Sequence, residues 1–169
     1  IRLTTGAALA PFDSWLVMRG LKTLAVRIAK QQASAREIAG WLASRPEIGR
    51  VYYPGLPDHP GYATNRRQAD GPGAMIAFEV SEAAGGETLA RAILARVRLI
   101  RFAESLGGTE SLITYPVTQT HAAIPEADRI ARGITNRLLR LSVGLENVRD
   151  LIADLAQALT GETPDTAHT

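Results

Sequence analysis

The chain has 169 residues and a nearly balanced charge, with 19 basic and 17 acidic side chains spread along its length. This length suits one domain with a sizeable core, and the formal net charge of +2 provides no basic patch for nucleic acid. The absence of cysteine excludes disulfides and thiolate metal sites and fits a reducing compartment, so we expect a cytoplasmic protein.

The first residues, 1–6, lack both an initiator methionine and a basic segment leading into an apolar run, so they do not resemble a signal peptide. They are typical of a chain entered midway. No apolar run approaches the roughly 20 residues that cross a bilayer, because Arg19 and Lys22 interrupt the longest candidate. We therefore expect a soluble protein with no membrane partner.

The segment from Pro11 to about Ser44 has apolar residues at helical spacing, apart from a polar gap at Gln31. This pattern predicts one long amphipathic helix or a pair of helices kinked at Gly20. Pro11 is typical of a first helical turn, and Pro46 limits the segment at its other end.

The rest of the chain alternates short β-rich runs with helical segments. The pattern predicts strands at 50–53, 74–80, 99–102, 111–114 and 138–143, and helices at 87–96, 126–132 and 147–159. The polar, turn-rich segment 57–70 favours a loop with one helical turn. This order indicates an α/β fold, built as an α+β sandwich with helices on one face of a sheet.

The last predicted helix has a polar and an apolar side. Its periodicity places Asp150 and Asp154 outward and directs Leu151, Ile152 and Leu155 inward. We therefore expect this helix to pack against the sheet through its leucine and isoleucine side chains.

Arg140 occupies an apolar strand, where period-two alternation puts it on the same face as Ser142. A guanidinium there needs an anion, and its planar fork of donors matches the α-carboxylate of an amino acid. The alternative is an exposed arginine paired with a nearby acid such as Glu146. Spacing alone leaves both interpretations open.

Ser105 begins a Ser-Leu-Gly-Gly turn, in which paired glycines allow backbone N–H groups to approach an anion closely. The same residues also suit an ordinary tight turn between strands. Glu104 precedes the turn. It has two interpretations: a carboxylate that contacts a substrate ammonium group, or an ordinary surface carboxylate.

The sequence gives less support for functional roles of the histidines and of Lys22. His59, His121 and His168 are too widely spaced for a local metal motif, so we expect no metal. His121 has two interpretations: a histidine near a functional site, or a histidine with a structural role. Lys22 has charged helical surroundings without a desolvating pocket, which favours a solvated lysine over a nucleophilic amine.

Six short stretches of the sequence resemble, in the same order, the C-terminal portion of the cystathionine γ-synthase, γ-lyase and β-lyase family. These are Cys/Met-metabolism enzymes that use pyridoxal phosphate. The stretches are 6–16 (GAALAPFDSWL), 19–24 (RGLKTL), 51–56 (VYYPGL), 104–108 (ESLGG), 120–122 (THA) and 140–144 (RLSVG). Because six ordered patterns are more specific than any one alone, the resemblance favours ligand-binding roles for Arg140 and Ser105.

The resemblance implies the small C-terminal domain of a fold-type I enzyme. Such a domain has a three- to four-stranded sheet with helices on one face and a long N-terminal connecting helix. The implied division is a connecting region at 1–44 that continues from a missing cofactor domain, a carboxylate-binding domain at 45–160 and a flexible tail at 161–169.

By the same resemblance, Arg140 binds the substrate α-carboxylate and Ser105 helps to hold it near the catalytic lysine. Glu104 lies toward the distal end of the substrate and bears on specificity, and Thr120 matches a threonine close to the same pocket. Pyridoxal 5'-phosphate is expected in the missing N-terminal domain, because the family's Ser-x-Thr/Ser-Lys segment is absent and Lys22 does not match it. This chain alone is expected to hold no catalytic or cofactor-binding residue and to be inactive.

The implied protein is a transsulfuration enzyme of methionine and cysteine biosynthesis, acting on cystathionine or a related sulfur amino acid as a homotetramer of full-length chains. Glu104 before Ser105 favours the γ-synthase or γ-lyase branch, and the β-lyase branch stays open. Two alternatives are a free-standing amino-acid-binding or regulatory module without catalysis, and a structural chain that pairs with a separate cofactor-domain chain.

Overall fold

The computed structural model describes residue 6 and residues 8–161. The expectations for residues 1–5 and for His168 lie outside this part of the chain. Of the predicted tail 161–169, only Gly161 is described, and it ends the last helix with a φ of 76°. A positive φ at this position is typical of a glycine that terminates a helix.

The predicted elements are present, with their ends shifted by one or two residues. The helices are α1 (Pro11–Leu21), α2 (Leu24–Ala43), α3 (Tyr62–Gln68), α4 (Gly86–Arg96), α5 (Glu126–Ala131) and α6 (Val148–Thr160). The strands are β1 (Ile48–Tyr52), β2 (Met75–Val80), β3 (Arg101–Phe102), β4 (Leu112–Thr114) and β5 (Leu138–Ser142). The segment 57–70, predicted as a loop with one helical turn, contains the seven-residue helix α3.

The described strands form one five-stranded sheet in the order β1-β2-β5-β4-β3. Neighbouring strands are antiparallel except for β3 and β4, which are parallel. The resemblance implied three or four strands. The sheet exceeds that number because β3, which contributes only two residues, pairs with β4 at one edge.

The two faces of the sheet differ in what covers them. Alternation along β2 and β5 directs Ile76, Phe78, Leu139 and Leu141 to one face, where they join a buried core with residues of α2, α4 and α6. This confirms the expectation that helices cover one face. Arg140 belongs to the opposite face, because it lies between Leu139 and Leu141 along β5.

The leading helical region is a pair of helices, which is one of the two predicted arrangements. The break falls at Lys22 and Thr23, two residues after the predicted kink at Gly20, and Arg27 of α2 donates through Nη2 to the Gly20 carbonyl oxygen at 2.8 Å. No residue of α1 is buried, and Phe12 is 67% exposed. Despite this apolar surface, no helix among the described residues is long and apolar enough to cross a bilayer.

Asp154 of α6 was predicted to point outward, and this prediction is wrong. Its carboxylate is buried and accepts hydrogen bonds from the backbone N–H groups of Arg98, Leu99 and Ile100 at 2.8–2.9 Å. The Gln157 side-chain amide donates to the same carboxylate at 3.0 Å. These donors compensate for the loss of water around a buried anion and attach α6 to the segment that leads into β3.

Candidate functional site

Arg140 lies at the centre of the sheet face that the helices leave open. Strand β5 runs between β2 and β4, so Arg140 pairs with Ala77 on one side and with Thr114 on the other. Ser142 follows on the same face of β5, as the period-two pattern predicted. Small or polar neighbours therefore surround the guanidinium at the middle of the sheet.

The Arg140 guanidinium has weak hydrogen bonds in the described structure. Its Nη2 atom donates to the Ser105 carbonyl oxygen and to Thr114 Oγ1, each at 3.4 Å, which is long for such bonds. Its Nε atom is buried and has no hydrogen-bond partner among the residues that the structure describes. A buried donor without an acceptor is energetically unfavourable, so this side chain has capacity for an added anion.

Glu146, the acid considered as a partner for Arg140, is engaged elsewhere. Its carboxylate accepts from the backbone N–H and the hydroxyl of Ser111 at 2.6 and 2.8 Å, and that hydroxyl also accepts from the Gly144 N–H at 2.8 Å. A Cβ atom at Gly144 would collide with the Thr109 carbonyl oxygen and with Glu146 itself. The Arg140–Glu146 pairing is therefore wrong, and Glu146 instead stabilises the corner after β5.

The glycine turn at 105–108 lies directly beside Arg140. In the described part of the chain, Ser105 is the only residue other than glycine with a positive φ, which is 109°. The Gly107 N–H donates to Ser142 Oγ at 3.0 Å, and the Gly108 carbonyl oxygen accepts from Gln31 Nε2 at 2.6 Å. The structure thus brings together Ser105 and Arg140, two of the four site residues predicted from the sequence.

Three buried polar residues near this site were not identified from the sequence. Gln31 and Thr114 are each 1% exposed, and Ser142 is 2% exposed. The Thr114 hydroxyl donates to the Ala103 carbonyl oxygen at 3.0 Å in addition to its contact with Arg140. A signal was present for two of them, because Gln31 interrupts an apolar helical stripe and Ser142 shares the strand face of Arg140.

Glu104 and Thr120 are less closely connected to Arg140. Glu104 is exposed and adjoins Ser105 in the chain. Thr120 is also exposed, and its Oγ1 lies 2.7 Å from Nδ1 of His121. Within residues 8–161, no hydrogen bond joins Thr120 to Arg140 or Ser105. Their roles remain predictions.

His59 and His121 have local structural contacts. His59 Nδ1 accepts from the Gly61 N–H at 3.0 Å, and His121 contacts the neighbouring threonine hydroxyl. No group of three or more His, Asp or Glu side chains among the described residues is arranged to hold a metal ion.

Comparison with known proteins gives consistent matches along the chain. A family model described as "Cys/Met metabolism PLP-dependent enzyme" matches residues 1–160. Cystathionine gamma-synthase of Haemophilus influenzae is 48% identical over 153 residues, which cover 90% of this chain and 36% of that protein. Cystathionine beta-lyase of Bacillus subtilis is 46% identical over 159 residues, covering 94% of this chain and 40% of that protein.

Solved structures agree with these sequence matches. The crystal structure of cystathionine gamma-lyase from Lactobacillus plantarum complexed with L-serine superposes with a TM-score of 0.86 at 41% identity. The match covers 93% of this chain and 40% of that one. The chain therefore spans about two fifths of the length of the proteins that it resembles.

Proposed function

The chain belongs to the Cys/Met metabolism family of pyridoxal-phosphate-dependent enzymes, and on this premise we propose that it forms the substrate-carboxylate-binding part of a transsulfuration enzyme. The whole enzyme makes or breaks a carbon–sulfur bond in cystathionine or a related sulfur amino acid. The relatives include γ-synthase, γ-lyase and β-lyase at similar identity. We favour the γ-synthase or γ-lyase type because Glu104 precedes Ser105.

The observation that carries this proposal is the unpartnered Nε of Arg140. The Nε and Nη2 groups form one edge of the guanidinium fork, and Nη2 has only long contacts at 3.4 Å. A carboxylate on this edge would accept two parallel, charge-assisted hydrogen bonds. The substrate carboxylate would give the buried Nε its hydrogen-bond acceptor, and the guanidinium would give the carboxylate its cation.

In the proposed complex, this chain orients the substrate. Arg140 holds the α-carboxylate, which limits rotation about the Cα–carboxylate bond and directs the Cα–H bond toward the reacting groups. Ser105 presents its hydroxyl beside the same carboxylate, Glu104 faces the distal part of the substrate, and Thr120 borders the pocket. When bound, pyridoxal phosphate supplies an electron sink for charge that develops at Cα.

The described residues do not fit the cofactor itself. The lysines of the chain, Lys22 and Lys30, are exposed on the helical segment formed by α1 and α2. A Schiff-base lysine is instead desolvated or placed beside another cation in a pocket. We therefore assign cofactor binding to an N-terminal domain outside this chain, and we expect residues 1–169 alone to be catalytically inactive.

The exposed helix α1 supports a role within a larger protein, for which we propose a cytoplasmic location. Its large apolar side chains are all roughly half exposed or more: Phe12, Trp15, Leu16, Val17, Met18 and Leu21. Soluble monomers rarely leave such a surface uncovered. This favours a region at 1–44 that continues from the cofactor domain over a free-standing binding module, and a homotetramer of full-length chains as the complete enzyme.

The test is an assay of the longer protein with cystathionine and pyridoxal phosphate, following cysteine, homocysteine and 2-oxobutyrate. Release of cysteine with 2-oxobutyrate and ammonia indicates γ-cleavage, and release of homocysteine with pyruvate and ammonia indicates β-cleavage. In a second reaction supplied with cysteine and an O-acylated homoserine, formation of cystathionine with release of the carboxylic acid indicates the γ-synthase type. Amino-acid binding in calorimetry without turnover or cofactor absorbance would support the free-standing module and overturn the enzyme proposal.

A further inference from the structure

Gln31 connects helix α2 to the glycine turn beside Arg140. It is the first buried residue of α2, and its side-chain Nε2 donates to the Gly108 carbonyl oxygen at 2.6 Å across 77 positions of sequence. The side chain is 1% exposed, so water cannot readily replace this donor if the side chain is removed.

The turn is held from two sides. On the strand side, the Gly107 N–H donates to Ser142 Oγ at 3.0 Å, and Arg140 contacts the Ser105 carbonyl oxygen. Gln31 provides the contact from the helix side. Residues 105–108 thus lie between a strand that carries the guanidinium and a helix that carries a donor.

The backbone conformation of the turn makes this support necessary. Ser105 has a φ of 109°, a region that residues with a Cβ rarely adopt and that persists only when surrounding contacts enforce it. Gly107, in the same turn, has a φ of 74°, which glycine adopts without a steric cost. Without the Gly108 contact, the position of Ser105 relative to Arg140 depends on the strand side alone.

We propose that Gln31 is a positioning residue for amino-acid binding, which fixes the Ser105–Gly108 turn against Arg140 through the Gly108 carbonyl. The inference rests on the proposed function of Arg140 and Ser105. Gln31 does not touch the substrate in this account. It acts through the turn, so its loss affects substrate affinity more than the rate of the bound complex.

The neighbouring residue Gln32 provides a matched control. Its side-chain Oε1 accepts from the Gly73 N–H at 3.0 Å, so it also joins α2 to a glycine segment, but away from Arg140. Gln31→Leu and Gln32→Leu remove equivalent amide groups at adjacent positions of one helix. A general loss of stability would affect both variants, whereas a positioning role affects only the first.

The experiment uses the full-length enzyme loaded with pyridoxal phosphate and cystathionine as substrate. We expect Gln31→Leu to raise KM about fivefold to tenfold with kcat within about twofold, as for the loss of one hydrogen bond that supports binding. Gln32→Leu should leave KM within about twofold of wild type. Hydrogen exchange in the peptide covering 104–110 should accelerate in Gln31→Leu and not in Gln32→Leu.

Gln31→Glu is the second variant, because it keeps the length and shape of the side chain and changes only whether it can donate. An ionised carboxylate cannot donate to the Gly108 carbonyl, whereas the protonated form can. The KM ratio of this variant to wild type should therefore fall as the assay pH is lowered. A KM ratio that rises as the assay pH is lowered, or equal KM increases in Gln31→Leu and Gln32→Leu, would overturn the positioning role.

The same measurements separate this inference from the proposed function. If wild type neither cleaves cystathionine nor forms it from cysteine and an O-acylated homoserine, or if Arg140→Ala leaves KM unchanged for the amino-acid substrate that wild type uses, the proposed function fails. If both behave as proposed and Gln31→Leu accelerates exchange without raising KM, the turn is supported by Gln31 but the positioning role is wrong.

Discussion

The Nη2 atom of Arg140 lies 3.4 Å from the carbonyl oxygen of Ser105, although 35 positions separate the two residues in the chain. The parallel pairing of β3 with β4 and the antiparallel pairing of β4 with β5 create this proximity. The turn that follows β3 therefore lies beside the central strand β5. A strand arginine and a turn serine are neighbours because of this strand order.

Arg140 is expected to contribute mainly to substrate affinity. In the longer enzyme, Arg140→Ala should raise KM for cystathionine about 10- to 150-fold, the effect of losing a charge-assisted hydrogen bond worth about 1.5–3 kcal/mol. Arg140→Lys should have a smaller effect, because lysine retains the charge but lacks the planar fork. Steady-state kinetics measure both changes, and cofactor absorbance should stay at its wild-type value.

Arg137 provides the control for these substitutions. It contacts the Val80 carbonyl oxygen and the Glu82 carboxylate, away from Ser105. Arg137→Ala should leave KM nearly unchanged. A wild-type KM in Arg140→Ala would contradict the assignment of the carboxylate site.

Replacement of Ser105 by glycine should raise the stability of the protein and weaken substrate binding. Ser105→Gly relieves the cost of a φ of 109° and should raise the free energy of unfolding by about 1 kcal/mol. Ser105→Ala retains a Cβ and should give no such gain. Because both variants lack the hydroxyl, both should raise KM for amino-acid substrates.

Urea unfolding and steady-state kinetics on the same preparations test the Ser105 prediction. Equal stability of the glycine and alanine variants would show that the backbone at this position is unstrained. A wild-type KM in both variants would show that the Ser105 hydroxyl does not contribute to substrate binding.

The sequence predicted which side chains share a face of the sheet better than it predicted the contacts between distant elements. Alternation with a period of two was sufficient to place Arg140 and Ser142 on one strand face. The contact between Gln31 and Gly108 was not predictable in this way, because it joins a helix to a backbone carbonyl 77 positions away. A polar residue in an apolar stripe indicates that a partner exists without identifying it.

Asp154 illustrates the same limit. A carboxylate in an amphipathic helix is ordinarily assigned to the solvent side. Its partners are the backbone N–H groups of residues 98–100, which every sequence provides and no side-chain pattern marks. The outward assignment failed for this reason, whereas the inward assignment of Leu151 and Leu155 is confirmed.

Asp154→Asn should destabilise the protein. The amide that replaces one carboxylate oxygen places a donor against backbone donors, and the remaining hydrogen bonds lose their charge assistance, at a cost of about 2–4 kcal/mol. Asp150→Asn is the control, because Asp150 is exposed in the first turn of α6 and should cost under about 1 kcal/mol. Urea unfolding measures both, and equal losses would refute a special role for Asp154.

Tyr53 should make stability depend on pH in the alkaline range. The side chain is 0% exposed and donates to the Gly73 carbonyl oxygen at 2.9 Å. Burial raises the pKa of Tyr53 to about 12, and the nearby Arg36 guanidinium offsets only part of this effect. Because the phenol ionises near pH 10 in the unfolded chain, the native state binds more protons between about pH 10 and 12.

Ionisation of this phenol should therefore leave the free energy of unfolding unchanged below about pH 10 and should lower it by about 2–3 kcal/mol as pH approaches 12. Burial also raises the pKa values of Tyr52 and Tyr115, so the wild-type decrease contains their contributions. Comparison with Tyr53→Phe isolates one phenol. At neutral pH this variant should be less stable by about 1 kcal/mol through loss of the hydrogen bond, and its deficit should shrink as pH rises above 10. Urea unfolding followed by circular dichroism across this range measures the difference, and a deficit that stays constant to pH 12 would contradict the buried phenol as its source.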